Sequence, residues 1–286
     1  MRVPTFIIIG AAKCGTTSLY DYMQQHPAIR MSTVKESNYF AYGDEYVHEN
    51  WPRLDFPVRS WEAYLELFSG AGMEALTGEA SPIYLESPQA PHRIREVIPD
   101  ARLMVSLRDP VRRAYSGYLM HARNGAARGD LTDFSFDARY VRGGFYSTGI
   151  GRYFEVFARE QIKVVLFEDL KRDTQSTVNE IYEFIGAPPF APDTTRRLNV
   201  GTVPNRRWLN SLLVSDVVRR RISRYTPGSI RRLGKRILDA NRSKPPVMPE
   251  WLEHELVSVY GEEIDRLEAL LEMDLDLWRE RGQLGA

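Results

Sequence analysis

The residues best suited to chemistry cluster near the N-terminus, in the run Gly10-Ala11-Ala12-Lys13-Cys14-Gly15-Thr16-Thr17-Ser18. One ammonium and one thiol stand there among residues small enough for a sharp backbone turn, and three hydroxyl side chains follow. An unbroken apolar run, Phe6-Ile7-Ile8-Ile9, precedes the loop. After it, Leu19, Tyr20, Tyr22 and Met23 recur at helical spacing until His26-Pro27. The expected unit is a strand buried on both faces, a tight loop and a helix. Such a unit aims the N–H groups of Gly15 to Ser18 and the positive end of a helix dipole at one point, where Lys13 adds a full charge. That is an anion site. Cys14 is the only cysteine, so no internal disulfide framework exists. Nothing nearby marks it as a nucleophile, and it reads as a small residue that fits the loop.

A second group follows another apolar run, Leu103 to Leu107. Arg108 stands at the end of that predicted strand, where ligands of open α/β sheets collect. Asp109 and Pro110 are good first residues for a helix, which places Ser116 about two turns in. Arginine offers a forked pair of donors to phosphate oxygens, and serine adds one more. His121, on the same helix, has the right unperturbed acidity for a proton acceptor, although a helix C-terminus favours histidine in any case. Glu36, in Val34-Lys35-Glu36 ahead of Tyr39-Phe40, is a second carrier for a proton if the acceptor comes within hydrogen-bond reach. As plain composition it is a surface Lys-Glu pair.

The anion itself is not a nucleoside triphosphate by the usual pattern. A GxxxxGK[ST] loop has its lysine after the second glycine, whereas Gly10 and Gly15 are followed by Thr16 and the lysine lies inside the loop. The competing reading rests on Asp169, in Glu168-Asp169-Leu170 after the apolar run Lys163 to Phe167, as a magnesium ligand for ATP chemistry.

These stretches carry a resemblance. GAAKCGTTSLYDYMQQHP resembles the 5'-phosphosulfate loop of sulfotransferases that use PAPS (3'-phosphoadenosine 5'-phosphosulfate). It is most similar to the branch that contains heparan sulfate sulfotransferases and their bacterial relatives. The resemblance implies a P-loop-like α/β fold, PAPS as donor, PAP as product, sulfuryl transfer to a hydroxyl or amine, and no metal. It assigns donor binding to Lys13, Cys14, Gly15, Thr16, Thr17 and Ser18, and assigns the 3'-phosphate to Arg108 and Ser116. Glu36 matches the family's general base, with His121 as runner-up, and the acidic pair Glu168-Asp169 becomes structural. Thr77 to Tyr84 is similar to a family segment that ends Ser-Pro-x-Tyr, but Ala80 stands where several relatives have lysine, which argues against a heparan-like polyanionic acceptor. Phe145-Tyr146, Tyr153 and Arg159 to Ile162 also resemble the family. A late basic loop, Leu198 to Leu209, offers Arg206 and Arg207 to the nucleotide phosphates. The resemblance spans roughly Thr5 to Gly186.

The remaining elements must position these groups. With 286 residues, 43% of them hydrophobic, the chain can bury a sizeable core. Lys and Arg total 38 against 38 Asp and Glu, so net charge singles out no partner and gives no sign of nucleic acid. No stretch approaches a membrane span or a signal peptide, and the expectation is a soluble cytoplasmic protein. Ser60 is expected to cap a short helix with Trp61, Tyr64, Leu65 and Phe68 on one core-facing side. Asn124 to Arg142 reads as an excursion of lid or acceptor-loop type. Arg219 to Arg236 is a basic cluster, after which a terminal helix carries Leu256, Val259, Tyr260, Ile264, Leu267, Leu270 and Leu271 on one stripe. The fold class is α/β, P-loop-like, in three layers around a parallel sheet. Residues 1–210 form the PAPS-binding part, and 211–286 a helical extension packed on it. The alternatives from other classes are a nucleotide kinase or NTPase, and a catalytically silent module that binds polyanions.

Overall fold

The computed structural model describes residues 2–42, 58–72, 75–124, 126–127, 130–195, 203–204, 242–243 and 245–280. Arg206, Arg207 and the basic cluster Arg219 to Arg236 lie outside them. Two compact units emerge. One comprises Met1–Asp109, Phe145–Leu198 and Glu262–Ala286; the other comprises Pro110–Gly144 and Asn199–Gly261. In chain order the helices are α1 (Thr16–Gln25), α2 (Tyr39–Tyr42), α3 (Trp61–Glu66), α4 (Ala90–Val97), α5 (Pro110–Arg123), α6 (Arg139–Arg142), α7 (Tyr146–Phe154), α8 (Phe167–Arg172), α9 (Thr174–Ile185) and α10 (Glu250–Leu271).

The first unit is built on a five-stranded sheet in the order β2-β3-β1-β4-β5. Its strands are β1 (Phe6–Gly10), β2 (Ile29–Met31), β3 (Leu76–Ala80), β4 (Arg102–Leu107) and β5 (Ile162–Leu166), and every pairing is parallel. β1 is central. Its Ile8 lies beside Ala80 of β3 on one side and Met104 of β4 on the other. On one face Phe6 and Ile8 pack with Leu19, Tyr22 and Met23 of α1 and with Val178, Ile181, Tyr182 and Ile185 of α9. The alternate residues Ile7, Ile9, Leu103, Val105 and Leu107 point to the opposite face and are buried as well. A sheet covered on both sides is what unbroken apolar strands require.

Sequence periodicity identifies three parallel strands, and the sheet has two more. β2 is only three residues long. β3 reads Leu-Thr-Gly-Glu-Ala, with a glycine and a carboxylate inside a strand that is buried from Thr77 onward. Gly78 is there because the Phe6 ring fills its side-chain space: a Cβ would meet Phe6 Cζ at 2.1 Å. The aromatic stripe after Ser60 is mostly core, although Trp61 is half-buried and Phe68 lies past the helix end at Glu66. The Ser60 hydroxyl accepts from the Ala63 N–H at 3.2 Å, and Tyr64 and Phe68 are buried. The α7 helix stops at Phe154.

The second unit contains α5, α6, the first half of α10 and the short antiparallel pair β6 (Val203–Pro204) and β7 (Arg242–Ser243). Arg113 is almost fully buried and donates to the Tyr140 carbonyl at 2.6 Å, while Tyr260 donates to the Val141 carbonyl at 2.6 Å. The excursion after Asn124 is tied down by Tyr118, whose hydroxyl accepts from the Leu131 N–H and donates to Asp133, both at 2.8 Å. No helix among the described residues is long and apolar enough to cross a membrane.

Candidate active site

The loop after β1 is held by its neighbours. Its Ala11 N–H donates to the Ser106 carbonyl at 2.8 Å, and the Ser106 hydroxyl donates to the Cys14 carbonyl at 2.5 Å, so β4 fixes the loop at both ends. Lys13 adopts φ 73° and Gly15 φ 85°. Gly15 is required twice over, since a Cβ there would also meet Phe167 Cδ2 at 2.8 Å. It precedes α1 with no side chain capping the helix start, and a helix N-terminus of this kind favours an anion through its open amides and its dipole. Lys13 is the non-glycine residue of the loop in the left-handed region, a conformation costing about 1–2 kcal/mol for L-residues. Strain of that kind gathers at functional sites. Cys14 is buried, with Sγ 3.6 Å from the Tyr146 hydroxyl, which suits packing rather than attack.

Arg108 follows β4, next to β1, and is half-buried. Its guanidinium lies 4.9 Å from the centre of the Phe167 ring, the same ring that abuts Gly15. The peptide joining Arg108 to Asp109 is gripped at both polar atoms. The Arg108 carbonyl accepts from Tyr146 Oη at 2.9 Å, and the Asp109 N–H donates to Glu168 Oε1 at 3.2 Å. The other oxygen of Glu168 accepts from the Trp278 indole at 3.2 Å. Burial pushes the Glu168 carboxyl above its usual range, against the pull of N–H groups, the indole and the Arg108 charge. Asp169 pairs with Arg172 at 2.6 Å on the surface. Asp169, the carboxylate of the magnesium alternative, is thus engaged by a protein donor.

Glu36 belongs to the third strand end. Its N–H donates to the Ala80 carbonyl at 2.9 Å, at the C-terminal end of β3. Glu36 and Asn38 adopt φ 62° and 56°, and the turn is pinned between them. Ser37 donates to Glu79 Oε2 at 2.6 Å, and the Asn38 N–H donates to the Ser81 hydroxyl at 3.1 Å. The Glu36 carboxylate is exposed and accepts from the Lys35 ammonium, so the surface Lys-Glu pair forms. Beneath it Glu79 is fully buried, and its Oε1 has no partner among the described residues. Burial raises its pKa above the ordinary 4.5, with Ser37 foremost among the groups opposing the shift. Ala80 is buried and brings no cation.

The first unit therefore brings Lys13, Gly15, Thr16, Thr17, Ser18, Arg108 and Glu36 to the C-terminal ends of three adjoining strands, β3-β1-β4. Ser116 and His121 belong to the second unit, both half-buried on α5. Burial, then the charges of Arg139 and Arg113, lowers the His121 pKa below 6.5, which leaves the ring neutral at physiological pH. Its edge contacts Tyr140, with ring centres 5.4 Å apart. Reasoning from sequence missed Glu79, Tyr146 and Trp278. The first two lie in stretches already singled out, but Glu79 carries no signal until β3 is known to be a strand. Nothing local marks Trp278.

A model of the Sulfotransferase family matches residues 4–192. Among curated proteins the chain is similar to human bifunctional heparan sulfate N-deacetylase/N-sulfotransferase 2, at 26% identity over 209 residues, covering 66% of this chain and 22% of that protein. It is also similar to rat carbohydrate sulfotransferase 15, at 26% identity over 270 residues, covering 72% of this chain and 47% of the relative. The chain thus spans less than half the length of either relative. Among solved structures, a sulfotransferase from Alicyclobacillus acidocaldarius superposes with a TM-score of 0.72 at 29% identity, over 98% of this chain and 100% of that one. With the matched region containing the loop, Glu36, Arg108 and Ser116, the chain belongs to the sulfotransferase family.

Proposed function

We propose that the protein transfers a sulfuryl group from PAPS to a hydroxyl or amine of an acceptor, releasing PAP. The observation that carries the reading is the meeting of Lys13, the uncapped amides of α1 and Arg108 at adjoining strand ends, with Glu36 bonded to the third. This donor set fits the group. Gly15 leaves room for no Cβ, the amides and ammonium suit a 5'-phosphosulfate, and a fork on an aromatic face suits a second phosphate. PAPS, when bound, supplies an electrophilic sulfur on a phosphate leaving group. Lys13 and the amides of Gly15 to Ser18 stabilise negative charge that grows on non-bridging and leaving oxygens, the contribution that usually dominates such catalysis. Arg108 orients the donor through its 3'-phosphate. Glu36 accepts the proton of the attacking hydroxyl or amine, and the neutral His121 is the alternative acceptor.

The named activities of the relatives support a carbohydrate acceptor. Ala80 leaves one cation fewer for a polyanion, which favours a sugar of low charge or another small metabolite. Calorimetry tests the donor: PAP is expected to bind without magnesium, and ATP to bind weakly with or without it. Tight magnesium-dependent ATP binding would replace this reading with a nucleotide kinase or NTPase. Salt-dependent polyanion binding without PAP affinity would point to a silent binding module. Labelled PAPS offered with sugar, lipid and small-molecule acceptors identifies the class that is sulfated.

A further inference from the structure

We propose that Trp278 and Glu168 are positioning residues for Arg108, through which the C-terminal turn sets how strongly the donor's 3'-phosphate is recognised. The inference rests on the proposed donor, and adds one residue, Trp278, from beyond the region that the family model matches.

The geometry is specific. A planar peptide has two polar atoms, and in the Arg108–Asp109 peptide both are held from one side of the first unit: the carbonyl by Tyr146 and the N–H by Glu168. Trp278 touches both holders. Its indole donates to the second oxygen of Glu168 at 3.2 Å, and its ring centre lies 6.4 Å from that of Tyr146. The short helical turn Asp276–Trp278 that delivers it is anchored by Leu275, with Leu275 and Trp278 both fully buried. Phe167, adjacent to Glu168, supports the guanidinium from below. The base of Arg108 and its side chain are therefore set by consecutive residues, Phe167 and Glu168, and Trp278 fixes the second of them.

Charge gives this contact a consequence beyond packing. Glu168 is half-buried, and a carboxylate drawn partly out of water is stabilised by whatever donor it can reach. With Asp109 and Trp278 occupying its two oxygens, Glu168 makes no ion pair with Arg108 among the described residues. The fork stays available to an incoming phosphate. Without the indole N–H, the freed oxygen turns to the nearest cation and competes with that phosphate.

The test compares affinities for PAP and for AMP, which lacks the 3'-phosphate, in the full chain. Wild type is expected to prefer PAP. Trp278→Phe keeps a ring but removes the donor, and is expected to lower the PAP:AMP affinity ratio on the order of tenfold, the scale of one charge-assisted hydrogen bond. Adding Glu168→Gln should recover part of the ratio, because a neutral amide forms no ion pair with arginine and competes less with the phosphate. A purely structural role would weaken both nucleotides together, so an unchanged ratio in Trp278→Phe overturns the proposal. Should that variant fail to fold, Tyr146→Phe removes the hydroxyl on the Arg108 carbonyl and must lower the same ratio; an unchanged value there is equally fatal. A wild type without preference for PAP refutes the donor assignment, and this inference with it.

Discussion

Lys13 and Arg108 both bring positive charge to the strand ends, but by different routes, and their loss should read differently. Lys13 faces charge that grows during transfer, so Lys13→Ala is expected to lower kcat by roughly 10²–10³-fold. Arg108→Ala is expected mainly to raise KM for the donor and abolish the preference for PAP over AMP. Steady-state kinetics with varied PAPS separates the two. Glu36→Gln removes a proton acceptor and should cost about 10²–10⁴-fold in kcat; the larger loss falling on His121→Gln instead would move that role to the histidine. Glu79, beneath Glu36, makes a claim about stability. Its pKa is raised in the folded state, so it is protonated in both states well below the ordinary 4.5. As pH climbs, the unfolded chain releases that proton first, and stability falls until the folded carboxyl has titrated too. Glu79→Gln should flatten this decline in the melting temperature, measured by calorimetry from about pH 4 to 8. Glu168 and Glu263 are also shifted upward by burial, so the slope should diminish rather than vanish.

At the scale of elements, what could be read from the sequence follows from how each element is stabilised. β1 and β4 announce themselves because parallel strands buried on both faces need apolar runs, and the edge strand β5 is still legible with Lys163 and Val164 half-buried. The β3 strand does not, because Gly78 yields its side-chain space to Phe6 and Glu79 is buried to hold Ser37 and Ser81. Both residues look like loop in a one-dimensional pattern. The site divides the same way. Lys13 and Arg108 lie in local motifs, whereas Trp278 meets Glu168 across 110 residues of chain, a contact no spacing rule reaches. The turn between β1 and α1 gives the sharpest element-level prediction. Gly15→Ala would carry a Cβ at φ 85° and 2.8 Å from the Phe167 ring. The backbone alone is expected to cost about 1–2 kcal/mol. Displacement of Phe167 should also weaken PAP binding, so denaturant melts and calorimetry on one variant would show both losses. Normal PAP affinity in a destabilised variant would detach Phe167 from the donor site.

Over the whole molecule, the family match ends at residue 192 while the first unit continues to Glu262–Ala286. Within that returning stretch Leu267, Leu275 and Trp278 are completely buried, and Leu271 nearly so. Glu263, 2% exposed, accepts from both the N–H and the hydroxyl of Ser147 at the start of α7. Burying an apolar side chain of this size contributes about 1.5–3 kcal/mol, so four of them rival the roughly 5–15 kcal/mol that holds a typical domain together. Residues 1–210, which carry the recognisable motifs, are therefore proposed not to fold alone. A chain ending at Gly261 should lose its cooperative thermal transition, and PAP should restore none of it, since the Trp278 contact to the Arg108 corner goes with the same segment. A chain ending at Glu280 keeps every one of these contacts and should melt like the full protein. If instead the chain ending at Gly261 melts cooperatively and binds PAP, the C-terminal return contributes neither stability nor donor recognition, and the sheet with its loop suffices.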